Sequence, residues 1–199
     1  KHMGCSEATL DNIKTLVDLG ATFLKLDLVT AINGDVTVGT KDGPLMIEVL
    51  DVIDEYIKKE GRSPVGFNFE INTAAGDEEG KSVPYYHAHA DFVMMDLWGR
   101  YMGDRLMITG SDYRSLNHLN EKYPEVDLAF KVAQGTEDAE KAMKRLKFTP
   151  KWISFHYTDI NEDIVKKYHD KGMYVSAWGI DNQETAAQTN ALGVDALIY

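Results

Sequence analysis

One feature constrains this chain more than any other: helix-like and strand-like stretches alternate along it without a break. Ser6 suits the N-cap of a helix over Glu7–Leu19, where Leu10, Ile13 and Val17 share a face and Gly20 follows the end. Phe23–Val29 reads as a strand, Asn33-Gly34 as a tight turn, and Val36–Val38 as a short extended piece. Ile47, Leu50, Ile53 and Ile57 form the stripe of a second helix that stops at Gly61. Val65–Ile71 alternates as a strand, Thr73–Ser82 is a polar loop, and Pro84 opens a third helix reaching to Met102. Strand Leu106–Thr109, helix Tyr113–Lys122, strand Leu128–Val132 and helix Glu137–Leu146 come next. The pattern closes with strand Trp152–Tyr157, helix Asn161–Lys171, strand Met173–Trp178, helix Gln183–Leu192 and strand Val194–Tyr199.

Such alternation predicts a parallel sheet with right-handed crossovers. Open doubly wound sheets usually carry roughly four to six strands, whereas about eight repeats close a barrel. The expected class is α/β, a (β/α)8 TIM barrel with seven strands visible and its first strand missing or truncated at the N-terminus. Only Lys1–Cys5 precede the first helix. No linker or composition shift divides the chain, so a single domain over residues 1–199 is expected.

Composition narrows the function. The net charge of −11 argues against a nucleic-acid backbone as partner. A single cysteine, Cys5, forms no internal disulfide, so a packed core must hold the fold. No apolar run approaches the roughly 20 residues of a transmembrane segment, and no secretory leader is visible. A soluble chain, cytoplasmic or exported, is the expectation; the sequence sets no oligomeric state.

The strands label their own faces. In Val65–Ile71 the large apolar residues Val65, Phe67, Phe69 and Ile71 alternate with Gly66, Asn68 and Glu70, and Asn72 follows. The apolar set must meet the helices, which turns the small and polar set toward the barrel axis. By the same alternation Lys25 and Asp27, Ala129 and Lys131, Ser154 and His156, and Ser176 and Trp178 point inward. The resulting cluster is Lys25, Asp27, Glu70, Asn72, Lys131, His156 and Trp178, at the strand ends where barrels of this kind carry their sites. Charges gathered there are costly unless paired or ligated. A plain salt-bridge network, with Lys25 and Lys131 neutralising Asp27 and Glu70, therefore stands beside a working site.

The residues resemble the glycerophosphodiester phosphodiesterase family, the PLC-like phosphodiesterase barrels. Ser-Glu-Ala-Thr-Leu (6–10) sits where that family has its Glu-Asn-Thr helix start, and Gly-Ala-Thr-Phe-Leu-Lys-Leu-Asp (20–27) resembles its Gly-Ala-Asp-x-Ile-Glu-x-Asp. Phe-Asn-Phe-Glu-Ile-Asn (67–72) resembles Leu-Asn-Ile-Glu-Ile-Lys, and Leu-Met-Ile-Thr-Gly-Ser-Asp (106–112) the fourth strand with its Ser-Phe-Asp turn. Val-Ser-Ala-Trp-Gly-Ile-Asp (175–181) and Leu-Gly-Val-Asp-Ala-Leu-Ile (192–198) resemble the last two strands. The resemblance implies metal-dependent hydrolysis of a glycerophosphodiester by general acid–base catalysis, with Mg²⁺ or Ca²⁺ as cofactor. It places Asp27 and Glu70 among the metal ligands and aligns His2, in His2-Met3-Gly4, with the catalytic histidine of His-Arg-Gly.

The departures lie at the chemistry. The first acid of Glu-x-Asp is Lys25, the second family histidine aligns with Thr40, and the lysine of Ile-Glu-Ile-Lys aligns with Asn72. A charged ammonium has no lone pair for a metal. Lys25 is expected within salt-bridge distance of Asp27 or Glu70, and no metal is needed if Lys25 replaces it. Loss of one histidine costs about 10²- to 10⁴-fold in rate where it serves as acid or base. Two readings stay open: phosphodiester hydrolysis, weakened or lost, or a pseudoenzyme binding an anionic or polyol ligand in the barrel mouth. Lys25, Asn72, Lys131, His156 and Trp178 are the substrate-binding candidates. His87 and His89 are expected at the surface or an interface, and His118 and His169 in solvent.

Overall fold

The computed structural model describes residues 7–28, 46–71, 86–97, 105–136 and 138–198. The expected turn at Asn33-Gly34, the piece Val36–Val38, the loop Thr73–Ser82, the helix continuation to Met102 and the segment Lys1–Cys5 lie outside these residues.

Among the described residues seven strands form one parallel sheet whose spatial order follows the chain. They are β1 (Phe23–Leu28), β2 (Gly66–Ile71), β3 (Leu106–Gly110), β4 (Asp127–Lys131), β5 (Trp152–His156), β6 (Tyr174–Trp178) and β7 (Ala196–Ile198). Helices α1 (Glu7–Asp18), α2 (Met46–Lys59), α3 (Tyr86–Leu97), α4 (Tyr113–Lys122), α5 (Ala139–Met143), α6 (Glu162–His169) and α7 (Gln183–Ala191) alternate with them. A doubly wound sheet reverses its strand order at a switch point, and this one never does. The result is a nearly closed TIM barrel, with β1 and β7 as the ends of the strand order.

Local chemistry sets the element ends. Asn161 and Asn182 cap α6 and α7 by accepting from the Ile164 and Thr185 backbone N–H groups at 2.9 and 2.8 Å. Gly20, at φ +88°, ends α1 in a left-handed turn in which the Ala21 N–H reaches back to the Leu16 carbonyl. The expected helix Glu137–Leu146 is shortened to α5. Asn117 of α4 donates to the Arg145 carbonyl and accepts from the Lys147 N–H, so those groups leave the helical ladder. Tyr157 likewise leaves its expected strand for a 3₁₀ turn, Tyr157–Asp159.

Strand register sorts the two faces. Leu24, Phe67 and Leu106 stand level, as do Phe69, Ile108 and Leu128, and Phe130, Ile153 and Val175. All are buried, together with Leu50, Ile53, Met94, Leu97, Leu116 and Leu119 of the helices. The core is thus the layer between barrel and helices, as the alternation predicts. No helix among the described residues is long and apolar enough to cross a membrane.

Candidate functional site in the barrel mouth

The register also brings the inward set into rows. Lys25 stands level with Asn68 and Met107, and Asp27 with Glu70, Thr109 and Ala129. Lys131 pairs with Ser154 and Ser176, and His156 with Trp178 and Ile198. The strands therefore carry Lys25, Glu70, Lys131, His156 and Trp178 on one face, as their alternation implies. Asn72 and His2 lie outside the described residues, and Asp27 enters through its backbone register alone.

Glu70 is the centre of the arrangement. It is buried, at 4% exposure, and two lysines from different strands converge on it. Lys131 Nζ donates to Glu70 Oε1 at 2.6 Å. Lys25 Nζ lies 2.6 Å from Glu70 Oε2, an ion pair whose angles do not make a well-directed hydrogen bond. The expected Lys25 salt bridge is thus formed with Glu70. Burying one carboxylate costs several kcal/mol, roughly, unless it is paired, and here both oxygens face an ammonium. Thr109, level with Glu70, donates to Asn68 Oδ1 one layer deeper at 2.7 Å, between two buried side chains. Thr109 was not singled out by the strand alternation; its contact depends on the register of β2 against β3.

An aromatic wall stands beside the lysines. Lys131 Nζ sits 4.6 Å from the centre of the Trp178 ring, within cation–π range. The His156 ring meets Trp178 edge-on at 4.6 Å. The Thr158 hydroxyl and backbone N–H face His156 Nδ1 at 2.7 and 3.3 Å. Gly179, at φ +84°, makes room for this ring, since a Cβ there would lie 2.7 Å from His156 Nε2. Asp159 accepts from the Gly135 N–H at 2.6 Å and ties the loop after β4 to the loop after β5.

The divalent cation implied by the resemblance does not fit these residues. A hard cation needs several oxygen donors. Both Glu70 oxygens are engaged by ammonium groups, and no three His, Cys, Asp or Glu side chains gather among the described residues. Asp112, the acid of the 106–112 motif, is buried as the N-cap of α4, accepting from the Arg114 N–H and paired with its guanidinium at 2.8 Å.

Of the remaining histidines, His87 is exposed as expected, while His89 and His118 depart from their expected surroundings. His89 is buried at 5% exposure, and its Nε2 has no hydrogen-bond partner among the described residues. The sequence places it on a helix with no clear apolar stripe, so its burial was not legible. His118 is half-buried against Asp91 at 2.8 Å rather than in solvent, whereas His169 is exposed as expected and pairs with Asp195 at 2.8 Å.

Comparison with known proteins agrees with the fold. An Oleispira antarctica phosphodiesterase, solved in complex with the product sn-glycerol-3-phosphate, superposes with TM-score 0.70 at 14% identity, covering 95% of this chain and 85% of that one. A Parabacteroides distasonis glycerophosphodiester phosphodiesterase gives TM-score 0.63 at 13% identity, covering 99% and 90%. In sequence, YhdW of Bacillus subtilis (strain 168), which carries a glycerophosphodiester phosphodiesterase name, is 24% identical over 93 residues. That match spans 46% of this chain and 38% of the relative, well under half its length. The model of a family that generally works with a divalent metal matches residues 5–199, and by that match the chain belongs to the glycerophosphoryl diester phosphodiesterase family.

Proposed function

We propose that the mouth of this barrel, a single domain over residues 1–199, binds a glycerophosphodiester-type substrate and hydrolyses it. In that reaction water forms a new P–O bond, one ester P–O bond breaks, and the departing alkoxide takes up a proton. The observation that carries the reading is the convergence of Lys25 and Lys131 on Glu70. Two ammonium groups share the one buried carboxylate of Glu70 at the strand ends, which offers cationic contacts to a phosphate that stays anionic throughout. The His156 ring is a contact for a phosphate oxygen, and Trp178 is a flat surface for the glycerol or alcohol part. Asn72 is a further substrate contact, and His2 is the candidate for proton transfer. Asp27 and Glu70 stand where the family resemblance implies ligands for Mg²⁺ or Ca²⁺, but the lysines that occupy both Glu70 oxygens make an ammonium the counter-charge there.

The test is release of sn-glycerol-3-phosphate from glycerophosphocholine, with Mg²⁺, Ca²⁺ or Mn²⁺ supplied and again in chelator. Turnover at least tenfold above an Asp27→Ala/Glu70→Ala control supports the proposal. A rate equal to that control, with ligand binding retained, instead makes the chain a non-catalytic binder of an anionic or polyol ligand.

A further inference from the structure

We infer that Lys25 and Lys131 form a phosphate site that needs no divalent cation, with the Lys25 ammonium as the resident positive charge. The inference deepens the phosphodiester reading of the mouth and rests on it.

Three observations carry it. Glu70 is buried, and each of its oxygens lies 2.6 Å from a lysine Nζ. A divalent ion binding Glu70 would have to displace one ammonium and then sit beside the other, which repels it. Next, both lysine side chains remain about one-fifth exposed, at 21% and 23%, while Glu70 beneath them is at 5%. The carboxylate is covered and the cations are what an incoming ligand meets. An ammonium has three donors, and Glu70 engages one from Lys131 in a hydrogen bond. Finally, Trp178 stands against Lys131, and its buried Nε1–H has no acceptor among the described residues. The indole face thus borders the site beside the Lys131 ammonium.

Chemically this selects a tetrahedral oxyanion, a phosphate monoester or diester. A carboxylate on the protein fixes the two ammonium groups in place, so little ordering remains to be done when the anion arrives. Glu70 is then a positioning residue and the lysines are the groups that touch the ligand.

Calorimetric titration of the full chain tests this, with inorganic phosphate and sn-glycerol-3-phosphate as ligands in chelator, and with Mg²⁺ or Ca²⁺ alone. The expected result is binding of both anions that chelator leaves unchanged and that Lys131→Met weakens at least tenfold. Lys25→Glu should abolish anion binding and create Mg²⁺ or Ca²⁺ affinity that the parent chain lacks, because Glu70 and Asp27 stand level in register. Lys25→Gln, uncharged and one atom shorter but still an N–H donor, serves where Lys25→Glu does not fold; it should lose anion affinity without gaining metal affinity. Anion binding that requires a metal, or stoichiometric Ca²⁺ or Mg²⁺ binding by the parent that Glu70→Gln removes, overturns the inference. Absence of any anion binding overturns it as well. Phosphate binding without sn-glycerol-3-phosphate binding upholds the lysine site and counts against the glycerophosphodiester reading. Turnover that appears only with added metal does the reverse.

Discussion

Burial pushes the His89 imidazole down to about 4 from an ordinary value of 6.5. The cause is desolvation: the charged ring would have to give up water in the packed side of α3. The folded state therefore refuses a proton that the unfolded chain accepts between those two values. Stability should be complete above pH 6.5 and decline as pH falls toward 4, by about 3 kcal/mol in all. Chemical denaturation at pH 7, 5.5 and 4.5 measures this, and His89→Leu should remove most of the slope in that window. An unchanged slope in the variant would mean that other groups set the acid limb. Legibility at this scale was uneven. Lys25, Glu70 and Lys131 could be read because strand alternation fixes a face whatever the partner. The Asn68–Thr109 hydrogen bond and the burial of His89 could not, because each depends on how one element is placed against another.

Helices α3 and α4 are joined by a strut centred on Asp91. Its Oδ1 faces His118 Nε2 at 2.8 Å and accepts from the Tyr123 hydroxyl at 3.2 Å, while Oδ2 accepts from Lys122 at 2.7 Å. Burial pushes the Asp91 carboxyl up, but the hydrogen bonds from Lys122 and His118 outweigh it, and the net shift is downward. A lowered carboxyl stabilises the fold above its unfolded value and loses that contribution as pH falls through the folded one. Asp91 is partly exposed, which screens the pair and limits its worth. Asp91→Ala should cost about 1 kcal/mol at pH 7 and leave the barrel mouth unaffected, since the strut lies on the helix layer. Thermal melting with a parallel phosphate titration reads both effects; altered phosphate affinity would show that this layer is coupled to the site. Element ends follow the same division between local and distant causes. Asn161 and Asn182 cap their helices by contacts three residues away, which sequence spacing announces. The early end of α5 is made by Asn117, 28 residues before the Arg145 carbonyl it binds, and spacing carries no sign of that.

At the scale of the whole molecule, the strand count and the spatial order follow from the alternation of elements, because a parallel strand pair with one helix between has a single favoured hand. The site is a product of that order: β2 and β4, two strands apart, deliver Glu70 and Lys131 to one point only because the sheet curves toward its own axis. Curvature also makes the core continuous, since the rows of apolar residues run from Leu24 on β1 to Val175 on β6 under one layer of helices. A continuous core shared by all repeats should unfold as one unit, in contrast to an array whose repeats contact only their neighbours. Two tryptophans on the strands report on different levels of the barrel: Trp152 packs on Tyr174 at 4.8 Å near the strand starts, and Trp178 packs on His156 at the strand ends. Urea unfolding followed by tryptophan fluorescence and by far-ultraviolet circular dichroism should therefore give coincident single transitions. Trp152→Phe and Trp178→Phe, each leaving one of these two reporters, should keep the same midpoint for both signals within each variant. A fluorescence transition that precedes the loss of helix in the Trp152→Phe protein, but not in the Trp178→Phe protein, would show that the mouth opens separately. The pairing of Lys25 and Lys131 on Glu70 would then belong to a local unit rather than to the barrel as a whole.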